Sequence, residues 1–218
     1  MTNTRNDLRQ GTLWKQILFF SLPIAATSML QQLFNSADVA VVGRFSAQKD
    51  LALAAVGSTS SVVNLFITII TGLAVGANVV IARSIGASDE KRARQAVHTA
   101  LILSLLCGAI LLVLGECIAL PLLEIMDTPS DIIGLAGKYL RIYMLGVFFQ
   151  TIYNFEASIL RANGDTRRPL FCLIFSGAVN VVLNLVFVIG FQLDVAGVAI
   201  ATVLADVVGA GMLFHYLR

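Results

Sequence analysis

Charge is what this chain has little of. Only 13% of its 218 residues are Asp, Glu, Lys or Arg, while 57% are hydrophobic. A soluble domain of this size has no core large enough to hide that much apolar surface, so lipid is the solvent the sequence calls for. The formal net charge is only +2, and the basic residues are spaced along the chain rather than pooled, which argues against nucleic acid as a partner. Cysteine is as sparse: Cys107, Cys117 and Cys172 stand at no metal-like spacing and in no disulfide framework, and read as small packing residues. Neither HExxH nor Gly-x-Ser-Gly occurs, which excludes intramembrane metalloprotease and rhomboid chemistry. No cofactor and no resident metal is expected.

What is present is a series of long apolar runs separated by short polar ones. The runs predict an all-α integral membrane protein with six transmembrane helices over 16–43, 57–82, 96–120, 136–160, 170–191 and 195–216. Residues 1–15 read as a cytoplasmic amino-terminal segment, in which Arg5, Arg9 and Lys15 precede the first run as they would in a signal peptide. That run is too long for a signal h-region and carries Gln31, Gln32 and Asp38, so it is a retained helix. Trp14 and Lys15 form an interfacial anchor. Pro23 predicts a kink in the first helix. Arg44 to Asp50 reads as a short outer loop, Gly72 and Gly76 as a small-xxx-small pair for close helix contact, and Pro121 as the stop of the third helix. In NGDTRRP, 163–169, Asn-Gly opens a turn and Pro169 starts the fifth helix.

Six spans place both termini on one side. With the amino terminus in the cytoplasm, Arg5, Arg9, Lys15, Arg83, Lys91, Arg92, Arg94, Arg161, Arg167, Arg168 and Arg218 lie inside, and Arg44, Lys49, Lys138 and Arg141 outside. That asymmetry predicts a multi-pass protein of the cytoplasmic membrane with both ends cytoplasmic.

Asp38 is the one charge of its helix interior, and Gln31, Asn35 and Asp38 share a helical face at i, i+4, i+7. An ionised side chain in hydrocarbon costs several kcal/mol, on the order of 3 on insertion scales, so such a group is turned into a bundle or wet cavity. Its bland reading is a packing Asp bonded to neighbours; its functional reading is a protonatable or cation-binding site. Other helices bring polar faces as well: Gln150 and Asn154 in the fourth, Ser176, Asn180 and Asn184 in the fifth, Thr202 and Asp206 in the sixth. Singly, each reads as interhelical glue, at roughly 0.6 kcal/mol per bond. Together with Asp38 they supply the carboxylate, amide and hydroxyl oxygens that a small hard cation or a protonated acid requires. Depth tempers the set. Asn154 comes late in its helix, and Glu156, deeper still, is placed to reach the cytoplasmic interface.

Four segments together resemble the multidrug and toxic compound extrusion (MATE) transporters: LPIAATSMLQQLFNSADVAVVGR (22–44), GLAVGANVVIARSIGASDEKRARQ (72–95), YLRIYMLGVFFQTIYNFEASILRANGDTRRP (139–169), and NVVLNLVFV (180–188) with VAGVAIATVLAD (195–206). The resemblance is closest to the DinF-like branch. It implies two six-helix lobes related by an axis along the membrane normal, exporting cationic organic compounds against H⁺ or Na⁺. This chain resembles the amino-terminal lobe alone, ending where a link to a seventh helix would begin. The resemblance gives Asp38 the place of the branch's first-helix acid. It matches Asn154, the pair Asn180 and Asn184, and Thr202 to polar residues of the lobe cavity. Two positions depart: Asn184 is neutral where relatives can carry an acid, and Asp206 stands where a neutral residue is usual.

The resulting expectation is the amino-terminal half of a proton-coupled multidrug exporter, not an enzyme. Its proton or cation site comprises Asp38, Asn180, Asn184, Thr202, Asn154 and Asp206, and its substrate cavity is lined by Gln31, Asn35 and Gln150. Na⁺ at Asp38 is the alternative coupling ion. The partners implied are cationic small molecules, the bilayer, and a second six-helix lobe, either a carboxy-terminal half or a second copy. Rival readings are a lipid-linked oligosaccharide flippase, which would need basic residues inside the bundle, and an intramembrane aspartyl protease using Asp38 and Asp206. The latter lacks the Tyr-Asp and Gly-x-Gly-Asp contexts its chemistry brings.

Overall fold

The computed structural model describes residues 13–46 and 48–218. The amino-terminal segment expected over 1–15 thus lies mostly outside the described residues, as does the side chain of Lys15, while Trp14 is exposed in the first turn of α1. Six helices run α1 Leu13–Phe45, α2 Lys49–Gly86, α3 Glu90–Ile125, α4 Ile133–Ala162, α5 Arg167–Leu185 and α6 Asp194–Leu217, with no strand among the described residues. The apolar runs become helices because only a helix closes its backbone hydrogen bonds within one segment in lipid.

Several boundaries differ from the sequence-based ones. α2 starts at Lys49 rather than near 57, so the end of the stretch expected as a loop is already helical. α3 continues through Pro121 for one more turn to Ile125; a proline removes a single rung, which a packed membrane helix tolerates. The fifth run ceases to be α-helical at Leu185 and finishes as a π-helical turn, Val186–Gly190. Gly72 and Gly76 have no neighbour against which a Cβ would press and face outward, so they are not a helix-contact pair. The close approaches use other glycines. A Cβ at Gly177 would overlap the ring of Phe34, and one at Gly108 would stand 3.1 Å from the Phe148 carbonyl oxygen.

α4 is the most enclosed helix, packed against α2, α3 and α6. α1 lies against α5 and α2 on the other side of the bundle. The outward surface is a belt of large apolar side chains, seen along α3 at Ile102, Leu105, Leu106, Ile110 and Val113. Four segments, α2, α3, α5 with its π turn, and α6, are long and apolar enough by composition to cross a membrane. Polar residues that face the interior lie on α1 and α4 and also on α5 and α6.

The helix ends are locked by short-range chemistry. Asp89 caps α3 by accepting from the Arg92 amide at 3.0 Å. Asp165 accepts from the Arg167 and Arg168 amides at 3.2 and 3.1 Å. Before it, Gly164 takes φ +84°, a left-handed conformation that favours glycine and makes the Asn-Gly turn possible. At the opposite end of the bundle the Ser46 hydroxyl donates to Asp194 Oδ1 at 2.8 Å, tying the α1–α2 turn to the start of α6.

Candidate functional site

Gly177 explains how an acid on α1 meets amides on α5. Gly177, Asn180 and Asn184 share one face at i, i+3, i+7. The missing Cβ lets Phe34 pack onto α5 one turn before Asp38. Asp38 is thereby carried to Asn184, and only 7% of its surface remains exposed.

The polar groups then close a ring across three helices. Asn184 Nδ2 donates to Asp38 Oδ1, and also to Asn180 Oδ1 at 3.0 Å. Asn180 Nδ2 donates to Thr202 Oγ1 at 3.3 Å, and Thr202 Oγ1 lies 3.3 Å from Asp38 Oδ2. Thr202 Oγ1 also lies 3.0 Å from the Val198 carbonyl. A hydroxyl has one proton, so Thr202 donates to the carboxylate or to the carbonyl in turn. Asn184 Oδ1 is buried with no donor, the one unspent acceptor of the ring.

Asp38 borders two cavities. The first, about 180 Å³, lies between α1, α2, α4, α5 and α6, and its wall includes Gln31, Asn35, Gln150, Asn180, Thr202 and Asp206. The second, about 230 Å³, lies between α1, α2 and α4, and its wall includes Asn35, Ser36, Thr59, Ser60 and Tyr139. No Lys or Arg lines either wall among the described residues.

Of the residues singled out in the sequence, Asp38, Asn180, Asn184 and Thr202 are bonded together, and Gln31, Asn35, Gln150 and Asp206 join them around the first cavity. Asn154 does not. Its amide donates to the Gln150 carbonyl at 2.8 Å, one turn back on its own helix, and it lines neither cavity. Glu156 does not reach an interface either; it is fully enclosed, and neither carboxyl oxygen has a partner. Sequence reasoning passed over Tyr143, Tyr153 and Asn64, which also line the first cavity. The signal was there for the tyrosines: Tyr143, Gln150 and Tyr153 repeat at i, i+7, i+10 on α4.

The profile of the MatE family matches residues 23–186, most of the chain and all of the α1 to α5 face just described. The chain belongs to the MatE family. It is 30% identical over 214 residues to the probable multidrug resistance protein YoeA of Bacillus subtilis, covering 95% of this chain and 45% of that protein. To the probable multidrug resistance protein YpnP of the same organism it is 33% identical over 214 residues, covering 96% and 46%. The fold is shared with a crystal structure of MATE in the bent conformation, at a TM-score of 0.91 and 30% identity, covering all of this chain and 48% of that one. The chain therefore spans about half the length of the MatE relatives it matches. It is one six-helix lobe of a multi-pass membrane protein, in a family of transporters and not of enzymes.

Proposed function

We propose that this chain is the amino-terminal lobe of a multidrug exporter that moves organic cations outward against H⁺, with Na⁺ as the alternative coupling ion. Its place is the cytoplasmic membrane, with both termini cytoplasmic, as the distribution of Arg and Lys supports. The observation that carries the reading is the closed ring around Asp38 at the junction of two cavities. A carboxylate at that point holds α1 to α5 and α6 through donors that all point toward it. It is also reachable from two sides, so a proton and an organic cation need not arrive by the same path.

The chemistry follows from the donor count. With Asp38 ionised, the bond from Asn184 is charge-assisted and roughly twice as strong as a neutral one. A proton on Oδ2 turns that oxygen from acceptor to donor. Thr202 can then swing its own proton to the Val198 carbonyl, already 3.0 Å away, and accept from Asp38. The bond reverses with almost no movement of heavy atoms. The Asn184 bond loses its charge assistance, and the hold on α1 weakens. Two protonation states thus prefer different attachments of α1, which is the differential affinity that coupling requires. Neutralising Asp38 also removes one negative charge from the wall of the first cavity, which lowers its attraction for any organic cation there.

Alternating access needs two halves around a shared cleft, so a second lobe completes the transporter. The 218 residues alone are expected to insert and fold but not to transport. The decisive experiment is drug uptake driven by a pH gradient into proteoliposomes holding the complete two-lobed transporter. Asp38→Asn is expected to insert normally and to abolish that uptake. Normal uptake by Asp38→Asn would make Asp38 structural only. Collapse of uptake on Na⁺ removal at constant pH gradient would replace H⁺ by Na⁺.

A further inference from the structure

The two carboxylates of the first cavity are not equivalent. Asp38 is committed to α5 and α6, its oxygens engaged by Asn184 and Thr202. Asp206 lines the same cavity from α6, yet among the described residues no side chain donates a hydrogen bond to it. It is able to stand there because α4 has a glycine opposite: a Cβ at Gly146 would lie 3.3 Å from Asp206 Oδ2 and 3.1 Å from Val203 Cγ2. One turn along α4 from Gly146, Gln150 lines the same wall, and its Oε1 also lacks a donor. Its amide would present that oxygen to a ligand in the cavity by turning about its last torsion. Tyr143 and Tyr153 line the same cavity.

Aromatic rings attract any cation, including a quaternary ammonium with no N–H. An unpaired carboxylate beside an unpaired amide oxygen asks for more. Both are acceptors only, and both are satisfied by a cation that brings hydrogen-bond donors. A site built to bond N–H groups rejects an analogue lacking them, because its buried acceptors are then left unpaired.

We infer that Asp206, with Gln150 and the two tyrosines, is a substrate site selective for cations that carry N–H donors, such as amidinium, guanidinium and protonated primary amines, over quaternary ammonium ions. The inference rests on the transporter reading above and divides its labour: Asp38 takes the coupling ion, and Asp206 takes the organic cation. A cavity of about 180 Å³ suits a small cationic head group, with the rest of a larger molecule extending toward the other lobe.

Two monocations of similar size separate the alternatives, benzamidinium and phenyltrimethylammonium. The 218-residue chain is purified into lipid nanodiscs and titrated with each by equilibrium dialysis. Benzamidinium is expected to bind about ten-fold tighter, a modest fraction of the discrimination a fully enclosed donor site achieves. Asp206→Asn is expected to bring the two affinities within about three-fold, a loss of most of the charge-assisted preference. Asp206→Ser is made alongside, and whichever variant is folded supplies the ratio, which does not depend on the fraction of active protein. Asp38→Asn removes a charge that attracts both monocations alike, so it is expected to weaken both affinities while their ratio stays about ten-fold. Equal affinities in the unsubstituted chain, a preference that survives loss of Asp206, or no binding of either ion would each overturn the inference. The transporter reading fails separately: a preference lost with Asp206, beside Asp38→Asn protein that still exports, removes the reading of Asp38 and leaves the Asp206 site.

Discussion

Asp38 and Glu156 are both acids enclosed in the same bundle, and their surroundings have almost nothing in common. Asp38 touches two cavities and receives donors from α5 and α6. Glu156, fully buried on α4, borders neither cavity and has no partner at either oxygen. Around it α4 packs through Tyr153, Ala157 and Leu160 on one side and Phe155 and Ile159 on the other. Burial is therefore not the mark of a site in this protein. What separates the two is connection: to donors on other helices, and to a space a ligand can enter. An acid wired across helices can transmit a change of protonation to the backbone, whereas an acid among hydrocarbon has nothing to pull on.

The sharpest way to test that contrast is to neutralise each acid in turn. Asp38→Asn is expected to abolish gradient-driven export from the complete transporter, the largest effect of any single substitution here. The next effect in size comes from the crossing that delivers Asp38. Gly177→Val would drive two methyls into Phe34, for which there is no room, and overpacking of this kind costs about 1–3 kcal/mol. The readout is a lowered thermal midpoint together with a weakened Asp38 ring, seen as loss of most export. Retention of full export by a folded Gly177→Val protein would mean that α1 reaches α5 without that contact.

A smaller effect is expected from Thr202. Thr202→Val keeps the shape and removes a hydroxyl bonded to both Asn180 and Asp38, so its stability cost should be about 1 kcal/mol, at roughly 0.6 kcal/mol for each interhelical bond in a membrane. Its effect on coupling should exceed its effect on stability if, as proposed, Thr202 is the group whose bond reverses when Asp38 is protonated. Thr202→Ser should restore coupling. Equal export by the Val and Ser variants would show that the hydroxyl carries no part of the switch.

Much of this was legible beforehand, and the physical reason is the bilayer. Hydrocarbon allows so few backbone solutions that long apolar runs fix six helices, and polar residues in them stand out at helical spacing. Asp38, Asn180, Asn184 and Thr202 stood out on that basis within a larger polar set, and the resemblance to MATE transporters implied a shared cavity for them. What periodicity does not carry is the angle at which one helix meets another. Asn154 has the same spacing relation to Gln150 as Asn184 has to Asn180, yet its amide turns back onto its own helix. Gly72 and Gly76 form a regular small-residue pair and face outward, while Gly177, with no such pattern around it, makes the crossing on which the site depends. The π turn after Leu185 was equally out of reach, because a widened turn leaves no mark on an apolar sequence such as VFVIG.

The smallest expected effect on export belongs to Glu156, and it closes the comparison. Glu156→Met replaces the carboxyl by an apolar group of similar volume and can fill the same space in an accommodating core. Nothing bonded to the carboxyl is lost, since nothing is bonded to it. The change instead removes an unsatisfied buried polar group, whose desolvation costs about 1–3 kcal/mol. Glu156→Met protein should therefore export as before and melt higher, by about 2–4 °C for each kcal/mol recovered in a chain of this length. The measurement is paired: thermal midpoint of the purified protein, and pH-gradient-driven uptake in the two-lobed transporter. A higher midpoint with unchanged uptake fits an acid without a task. Loss of uptake by a stable Glu156→Met protein would show that α4 carries a second coupling acid and that connection to a cavity is not what marks one.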